Sequence, residues 1–270
     1  MFARERGPRV RAPAVAGSFY PRDATRETIA AFLAEAKPPR AERLIGVIPP
    51  HAGYAYSGPV AANAFAPLVS SDTEFERVLL LGPSHYVPVG GTAAASASAF
   101  ATPLGEIGID RGAIDALVQR KLVTIDDRAH APEHSLEVEL PFLQVLLGRF
   151  TLIPLLVGDA APEHVASIVA TLLDGRTLLV VSTDLSHYLD YPAARARDLA
   201  TAETIERFDF DKLGPDDACG FAALNGALCA GRQKGWSIAR FDLRNSGDTS
   251  GDRSRVVGYG AWAFSERTFV

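Results

Sequence analysis

The chain has 270 residues, of which 47% are hydrophobic and 22% are charged, as in globular proteins with a full core. This composition excludes a disordered chain, a collagen-like fibre and a small fold that depends on disulfides. Acidic residues outnumber basic ones by 32 to 27, so the net charge of −5 gives no indication of nucleic-acid binding.

The N-terminal segment carries four arginines without the apolar stretch of a secretory signal. We expect residues 1–12 to form a basic, partly ordered tail and residues 13–270 to form one domain. No uncharged apolar run approaches the roughly 20 residues of a membrane span, so no membrane segment is expected. Two cysteines without a CxxC pair, Cys219 and Cys229, are typical of reduced thiols and favour a cytoplasmic location.

The hydrophobic pattern predicts short buried strands that alternate with helices. In chain order, it predicts a strand at 44–48, a helix at 58–69, a strand at 78–81, helices at 114–120 and 136–147, a strand at 152–157, a helix at 165–173, a strand at 177–181, helices at 193–208 and 218–232, and strands at 238–243 and 256–264. Pro141 predicts a kink in its helix, and Pro154 predicts that its strand lies near an edge or a bulge.

The predicted strands are apolar almost throughout, which is typical of strands buried on both faces by helices. We therefore predict an α/β fold consisting of a single three-layer α/β/α domain with a mainly parallel central sheet. The last two strands are expected to be antiparallel additions to this sheet.

Histidines follow three of the predicted strands. His51, His85 and His187 each lie just past the carboxyl end of a buried strand. In an open α/β sheet, ligands bind at this edge. Because imidazole suits iron, copper, nickel and zinc, we expect the three histidines to converge on a metal site. A general acid/base pair without a metal is the alternative.

Two more histidines lie near the start of the helix that is predicted from about Ser135. Pro132 separates His130 from His134, which argues against a shared helix face. Glu133 either interacts with the helix start, where the helix dipole favours an acid, or reaches the histidine site.

The polar segment 246–252 reads as a tight turn between the last two strands, because its spacing does not fit a calcium-binding loop. Asp248 in this turn would supply an oxygen ligand if the turn faces the histidines. The sequence lacks GxSxG, HExxH, P-loop and GxGxxG motifs. Their absence counts against a serine hydrolase, a zincin, a nucleotide kinase and a Rossmann dehydrogenase.

Six motifs occur together and in a fixed order: AGSFYP at 16–21, PHAGY at 50–54 with YSG at 56–58, GPSH at 82–85, EHSLE at 133–137, STDLSH at 182–187 and NSGD at 245–248. With these motifs the sequence resembles the Memo family, which includes component B of the prokaryotic AmmeMemoRadiSam system. The resemblance covers residues 13–264. It implies a fold like the catalytic subunit of class III extradiol dioxygenases, which hold non-haem Fe(II) at a strand-end site.

The resemblance also implies a ligand set. In animal members, histidines equivalent to His51 and His85 bind iron or copper together with a cysteine, whose matching position here is Thr249. His51 and His85 are therefore expected to bind the metal, with Asp248 or His187 as a third donor. An oxygen donor in place of a thiolate favours Fe(II), Mn or Zn over Cu(I). We expect Fe(II), with copper or zinc as alternatives.

The remaining motif residues are assigned to catalysis and to the pocket. If His187 is not a ligand, it acts as a general acid/base that Asp184 holds in one tautomer. The residues expected to line the pocket are Tyr54, Ser84, Glu133 and His134.

These observations lead to one main functional hypothesis and two others. We expect a metal-dependent redox enzyme, with non-haem iron or copper, that acts on a small phenolic or aromatic molecule or supports a radical-SAM partner. The resemblance also implies an AMMECR1-like protein partner. A non-catalytic binding module could instead use the same pocket for a peptide or protein partner, and the same donors would suit a metal-assisted hydrolase.

Overall fold

The computed structural model describes residues 10–23, 25–36 and 43–267. Its strands are Val10–Arg11 (β1), Leu44–Ile48 (β2), Arg77–Pro83 (β3), Thr92–Ala94 (β4), Ala99–Thr102 (β5), Gly105–Gly108 (β6), Thr124–Ile125 (β7), Thr151–Val157 (β8), Thr177–Val181 (β9), His187–Leu189 (β10), Ser237–Asn245 (β11) and Val256–Ser265 (β12).

The helices are Thr25–Glu35 (α1), Tyr54–Phe65 (α2), Arg111–Gln119 (α3), Asp127–His130 (α4), Leu140–Leu147 (α5), Pro162–Leu172 (α6), Tyr191–Glu206 (α7), Phe221–Lys234 (α8) and Ser246–Thr249 (α9), with short 3₁₀ helices at Ala66–Ser70 and Glu137–Glu139.

Four parallel strands form the centre of the sheet, in the order β2-β9-β3-β8. All residues of β2 and β9 are buried, as are all but the first residue of β3 and of β8. Their Leu-, Ile- and Val-rich sequences suit a pleated layer covered on both faces. The parallel centre of the predicted sheet is therefore confirmed.

Antiparallel strands extend the sheet on both sides. β12 pairs with β2, and β10 and β11 both pair with β12, so the predicted antiparallel addition of the last two strands is confirmed. On the other side, β4 runs antiparallel to β8 and pairs with β7. A separate three-stranded sheet consists of β1, β5 and β6.

Helices lie on both sides of this mixed sheet, so the predicted layered α/β domain is confirmed. α8 packs against β3, β9 and α6, whereas α2 packs against β2, β11 and β12. The approach of α6 to α8 depends on Gly226, because a Cβ atom there would lie 2.2 Å from the Cβ atom of Val165. The glycine thus lets the two helices pack closely.

Pro141 has a different role from the one predicted, whereas Pro154 lies at a local edge of the sheet, as predicted. Pro141 lies in the first turn of α5, after the 3₁₀ helix Glu137–Glu139, so it begins a helix and does not kink one. Pro154 lies in β8, where β4 pairs only with residues 155–157. Because Pro154 lies beyond the end of β4, its missing N–H costs no ladder bond there.

Part of the predicted basic tail belongs to the folded domain. Residues 1–9 lie outside the described residues, but Val10 and Arg11 pair with β5. The Arg11 side chain is buried, with its Nη1 atom 2.6 Å from the Glu137 carboxylate. The last residues of the predicted tail thus pack onto the domain.

The predicted helix at 218–232 would contain both cysteines, but the structure places only one of them in a helix. α8 begins at Phe221, so Cys219 lies in the preceding turn, while Cys229 lies inside the helix. Both thiols are free. Within the described part of the chain, no helix is both long and apolar enough to cross a membrane.

Candidate metal centre

The central strands bring the predicted histidines to one edge of the sheet. β2, β9 and β3 are parallel neighbours, so their carboxyl ends lie together. His51 follows β2, His85 follows β3, and His187 lies a few residues after β9. The ring centres of His51 and His85 are 5.2 Å apart. The predicted convergence of strand-end histidines is thus observed for this pair.

A third histidine joins this pair from a different element. His134 lies in the loop before the 3₁₀ helix Glu137–Glu139, and its ring stacks on His85 with the centres 4.6 Å apart. One ring nitrogen from each of His51, His85 and His134 lies within 4.8 Å of the other two, so the group could hold a metal ion. The sequence had indicated His134 as a pocket residue only.

The three rings are oriented by hydrogen-bonding partners at the same ring position. The Nδ1 atoms lie 2.7 Å from Ser182 Oγ in His51, 2.9 Å from Glu133 Oε1 in His85 and 3.3 Å from Tyr86 Oη in His134. Such partners fix the tautomer and orientation of metal-binding imidazoles. The Nε2 atoms are the ring nitrogens that remain to bind an ion, and that of His51 also lies 3.3 Å from the Cys219 thiol.

Glu133 organises the loops around the histidines. Its Oε1 atom accepts the backbone N–H groups of His134 and Ser135, and its Oε2 atom accepts the N–H of His85. Burial acts to raise the pKa of this carboxyl, but the hydrogen bonds from His85 and Ser135 outweigh it and lower the pKa to about 2. Glu133 is therefore ionised, and it both satisfies the loop amides and reaches the site.

Burial keeps two of the three imidazoles neutral at physiological pH. It lowers the pKa of His51 well below the usual value, and the neighbouring histidines lower it further. Burial and the nearby His85 lower the pKa of His134 to about 4. Neutral imidazole is the form that binds metal ions.

Asp184 and His187 lie beside this group, but not in the relation predicted. Asp184 Oδ1 accepts the backbone N–H of His51 at 2.8 Å, so the carboxylate positions the His51 loop instead of the His187 ring. Burial raises the pKa of Asp184 to about 7. His187 lines the cavity above the histidines, and burial lowers its pKa.

A cavity of about 630 Å³ opens above the histidines. Besides His51, His85, His134 and His187, its lining includes Phe19, Tyr56, Tyr86, Asp184, Tyr188, Asp252, Arg255 and Tyr259. Its volume is in the range of small-molecule sites.

Three of the four predicted pocket residues do not line this cavity: Glu133, which hydrogen-bonds the histidine loops as described above, and Tyr54 and Ser84. Tyr54 is buried at the start of α2, where its hydroxyl donates to the Val138 carbonyl at 2.9 Å. The Ser84 hydroxyl donates to the Val87 carbonyl at 2.6 Å, which closes its own loop. Both side chains therefore stabilise the walls of the site and do not face a ligand.

Asp248 is not brought to the histidines either. It belongs to a capping box at α9, in which its Oδ2 atom accepts the N–H of Asn245 at 3.1 Å. Its Oδ1 atom accepts the Tyr191 hydroxyl at 2.6 Å. The neighbouring Thr249 donates to the Ser246 carbonyl. Both oxygens of the predicted ligand therefore accept hydrogen bonds away from the histidines, one within the turn and one from the start of α7.

The sequence did not indicate that Cys219 lies at the site. Its Sγ atom is 3.3 Å from His51 Nε2 and accepts the Asp184 N–H. Burial and the Asp184 carboxylate raise the pKa of this thiol. Gly220, a poor helix former, was the signal that the helix starts after Cys219.

A family model described as "Memo-like protein" matches residues 11–263. The chain belongs to the Memo-like family. Among its relatives are MEMO1 family proteins from Methanosarcina acetivorans, 37% identical over 93% of this chain and 98% of the relative, from Methanopyrus kandleri, 38% identical over 94% and 98%, and from Nitrosopumilus maritimus, 34% identical over 94% and 99%.

A solved structure, that of an uncharacterized protein from Escherichia coli K12, is similar over 82% of this Memo-like chain and 99% of its own, with 13% sequence identity and a TM-score of 0.47. The chain thus combines membership of the Memo-like family with a group of three histidines that could hold a metal ion.

Proposed function

We propose that this Memo-like protein is a metal-dependent enzyme that carries out redox chemistry on a small molecule, with the ion bound by His51, His85 and His134. The observation that carries the proposal is the convergence of these three rings with every Nδ1 atom held by the protein. Rings that are oriented in advance lose little freedom when an ion binds.

The donor set suits a borderline divalent ion. Imidazole nitrogens bind iron, copper and zinc well, whereas calcium and magnesium require oxygen ligands. Among the three, we propose Fe(II), because the family resembles class III extradiol dioxygenases, which use it. When bound, this ion would supply the electron-transfer chemistry, while the side chains bind the substrate and handle protons.

Two groups beside the histidines are suited to proton transfer. The pKa of Asp184 is raised to about 7 by burial, close to the pH at which an acid or base works best. His187 lines the cavity with a pKa below its usual value, so a neutral ring nitrogen can accept a proton from a substrate hydroxyl. Such groups are expected where a phenolic substrate must be deprotonated.

A metal-assisted hydrolase is the second candidate, and one observation favours it. The three donors are all imidazoles, which is the ligand set of zinc enzymes that activate water. A divalent ion with three neutral ligands keeps its full charge and is a strong Lewis acid.

The partners of the protein stay predictions. The cavity volume of about 630 Å³ suits a small molecule, in line with the proposed substrate. A radical-SAM enzyme and an AMMECR1-like protein are proposed partners on the resemblance alone.

The proposal is tested by comparing two metals. The chain is loaded without oxygen with either Fe(II) or Zn(II), and oxygen uptake is then followed with a panel of phenolic acids and catechols. We expect uptake with Fe(II) only, and its loss in His85→Ala but not in His164→Ala, whose ring instead contacts the Leu122 carbonyl. Turnover of an ester panel with Zn(II) and without oxygen would favour the hydrolase. No turnover with either ion would favour a binding module.

A further inference from the structure

Tyrosines concentrate at the mouth of the cavity. The chain has seven tyrosines, all within the described residues, and four of them line this cavity. Three of the four, Tyr56, Tyr86 and Tyr188, are 47%, 54% and 64% exposed. Aromatic rings that are left in water around a concave site provide flat surfaces on which another aromatic ring can stack.

The backbone at Tyr188, whose side chain is exposed, adopts a strained conformation. Tyr188 has a φ of 60°, a left-handed conformation that a non-glycine residue rarely adopts. The pairing of β10 with β12 also shifts register between His187 and Leu189, on either side of it. Strain of this kind persists where the surrounding structure supports it, and it is concentrated at ligand sites.

A cation lies against the same ring. The guanidinium carbon of Arg255 lies 5.0 Å from the centre of the Tyr188 ring, and Arg255 also lines the cavity. A guanidinium stacked on a ring keeps its N–H donors directed outward in its own plane, where they match the two oxygens of a carboxylate. Asp252 and Asp184 line the same cavity, so acidic side chains share its lining with Arg255. This balance suits a monoanion better than a phosphate dianion.

We propose that the cavity binds an aromatic carboxylate, with its ring among the exposed tyrosines and its carboxylate on Arg255. The inference rests on the proposed function, because it names the substrate class of that enzyme. The carboxylate end lies on Arg255 at the mouth, and the ring is directed toward the histidines.

The test measures binding of benzoate to the full chain by calorimetry in the presence of a chelator, so that no bound ion contributes. Benzyl alcohol lacks the charge, and cyclohexanecarboxylate lacks the aromatic ring. We expect benzoate to bind more tightly than either, and Arg255→Gln to weaken benzoate binding about ten-fold to a hundred-fold without changing that of benzyl alcohol. Arg253→Gln is the matched control, because Arg253 stacks on Tyr191 and does not line the cavity.

Four results would overturn the proposal: no benzoate binding, equal binding to Arg255→Gln, equal binding of cyclohexanecarboxylate, or tighter binding of phenyl phosphate than of benzoate. Because both arginines are exposed, we expect neither substitution to change the melting temperature, and this measurement checks that the variants fold. The chelator separates this inference from the metal proposal. Benzoate binding that depends on Arg255 in the chelated chain, together with no ion bound in a separate Fe(II) titration, would support this inference and contradict the metal proposal.

Discussion

The Glu133 carboxylate holds His85 at two points, with Oε1 2.9 Å from the ring Nδ1 atom and Oε2 accepting the backbone N–H. The ring of His85 is therefore fixed relative to its own backbone before any ion binds. The same carboxylate accepts the N–H of His134, the residue that carries a second ring of the group. One buried acid thus sets the relative positions of two of the three candidate ligands.

Replacing Glu133 by Gln should weaken metal binding. The amide removes the negative charge that makes His85 a stronger ligand, and the expected loss of affinity is about ten-fold to a hundred-fold. Competition titration with a chromogenic chelator measures it. Glu163→Gln, at an exposed position of α6, is the control and should bind as the wild type does. Equal affinity of Glu133→Gln and wild type would show that Glu133 only supports the loop.

The sequence was most informative where apolar residues run without interruption. The strands β2 and β9 have the predicted bounds, because runs of five apolar, small or β-branched residues are typical of a fully buried strand. The short strands β4 to β7 were not predicted. These strands are two to four residues long and carry little hydrophobic pattern. β4 pairs with β7 and β8 through contacts that are distant along the chain, whereas β5 and β6 form a tight hairpin.

Two of the three candidate ligands were predicted, because they follow strands that the sequence pattern indicates. His51 and His85 follow recognisable strands, so the sheet topology alone brings them together. His134 follows a loop that Arg11 holds through hydrogen bonds to the His130 and Glu133 carbonyls. These contacts join residues that are more than 100 positions apart, so no local sequence pattern could predict them. The capping box at Asn245 and Asp248 was not predicted, although an Asn followed three residues later by an acid is a typical helix start.

Asp184 should make the stability of the metal-free protein depend on pH. Its pKa is about 7 in the folded state against 3.8 as the ordinary value, so the folded state retains the proton over a range in which the unfolded chain has lost it. Its contribution to the unfolding free energy is therefore constant below pH 4 and falls by about 4 kcal/mol as the pH rises to 7.

Asp184→Asn removes this contribution. The difference in unfolding free energy between the variant and the wild type, from urea titrations between pH 4 and pH 8, should shift in favour of the variant as the pH rises. A difference that is constant across this range would contradict the raised pKa. The other buried acids and histidines are common to both proteins and cancel in the comparison.

Arg11 should contribute strongly to stability although it lies near the N-terminus. Its guanidinium pairs with Glu137, whose side chain is completely buried, so Arg11→Gln leaves a buried charge without its partner. The expected loss is about 3–5 kcal/mol in unfolding free energy. Arg43→Gln breaks an exposed pair with Glu266 and should cost less than about 1 kcal/mol. Similar losses for the two variants in urea titrations would contradict the burial of Arg11.

Gly220 is required for the turn that positions Cys219 beside His51. A Cβ atom at this position would lie 2.8 Å from the Ser182 carbonyl and 2.8 Å from the Thr183 side chain. Gly220→Ala should therefore reduce the unfolding free energy by about 1–3 kcal/mol. Gly108→Ala meets nothing within 4 Å and serves as the control. A variant at Gly220 that is as stable as the control would show that the turn can move away from Ser182.

The central claim is that His51, His85 and His134 together hold one metal ion. The direct measurement is an anaerobic titration of the untagged chain with Fe(II) and with Zn(II), repeated for each single alanine variant and for His164→Ala. The account predicts one ion per chain, at least a ten-fold loss of affinity in each of the three variants, and no change in His164→Ala. Binding well below one ion per chain, or wild-type affinity in His134→Ala, would contradict it.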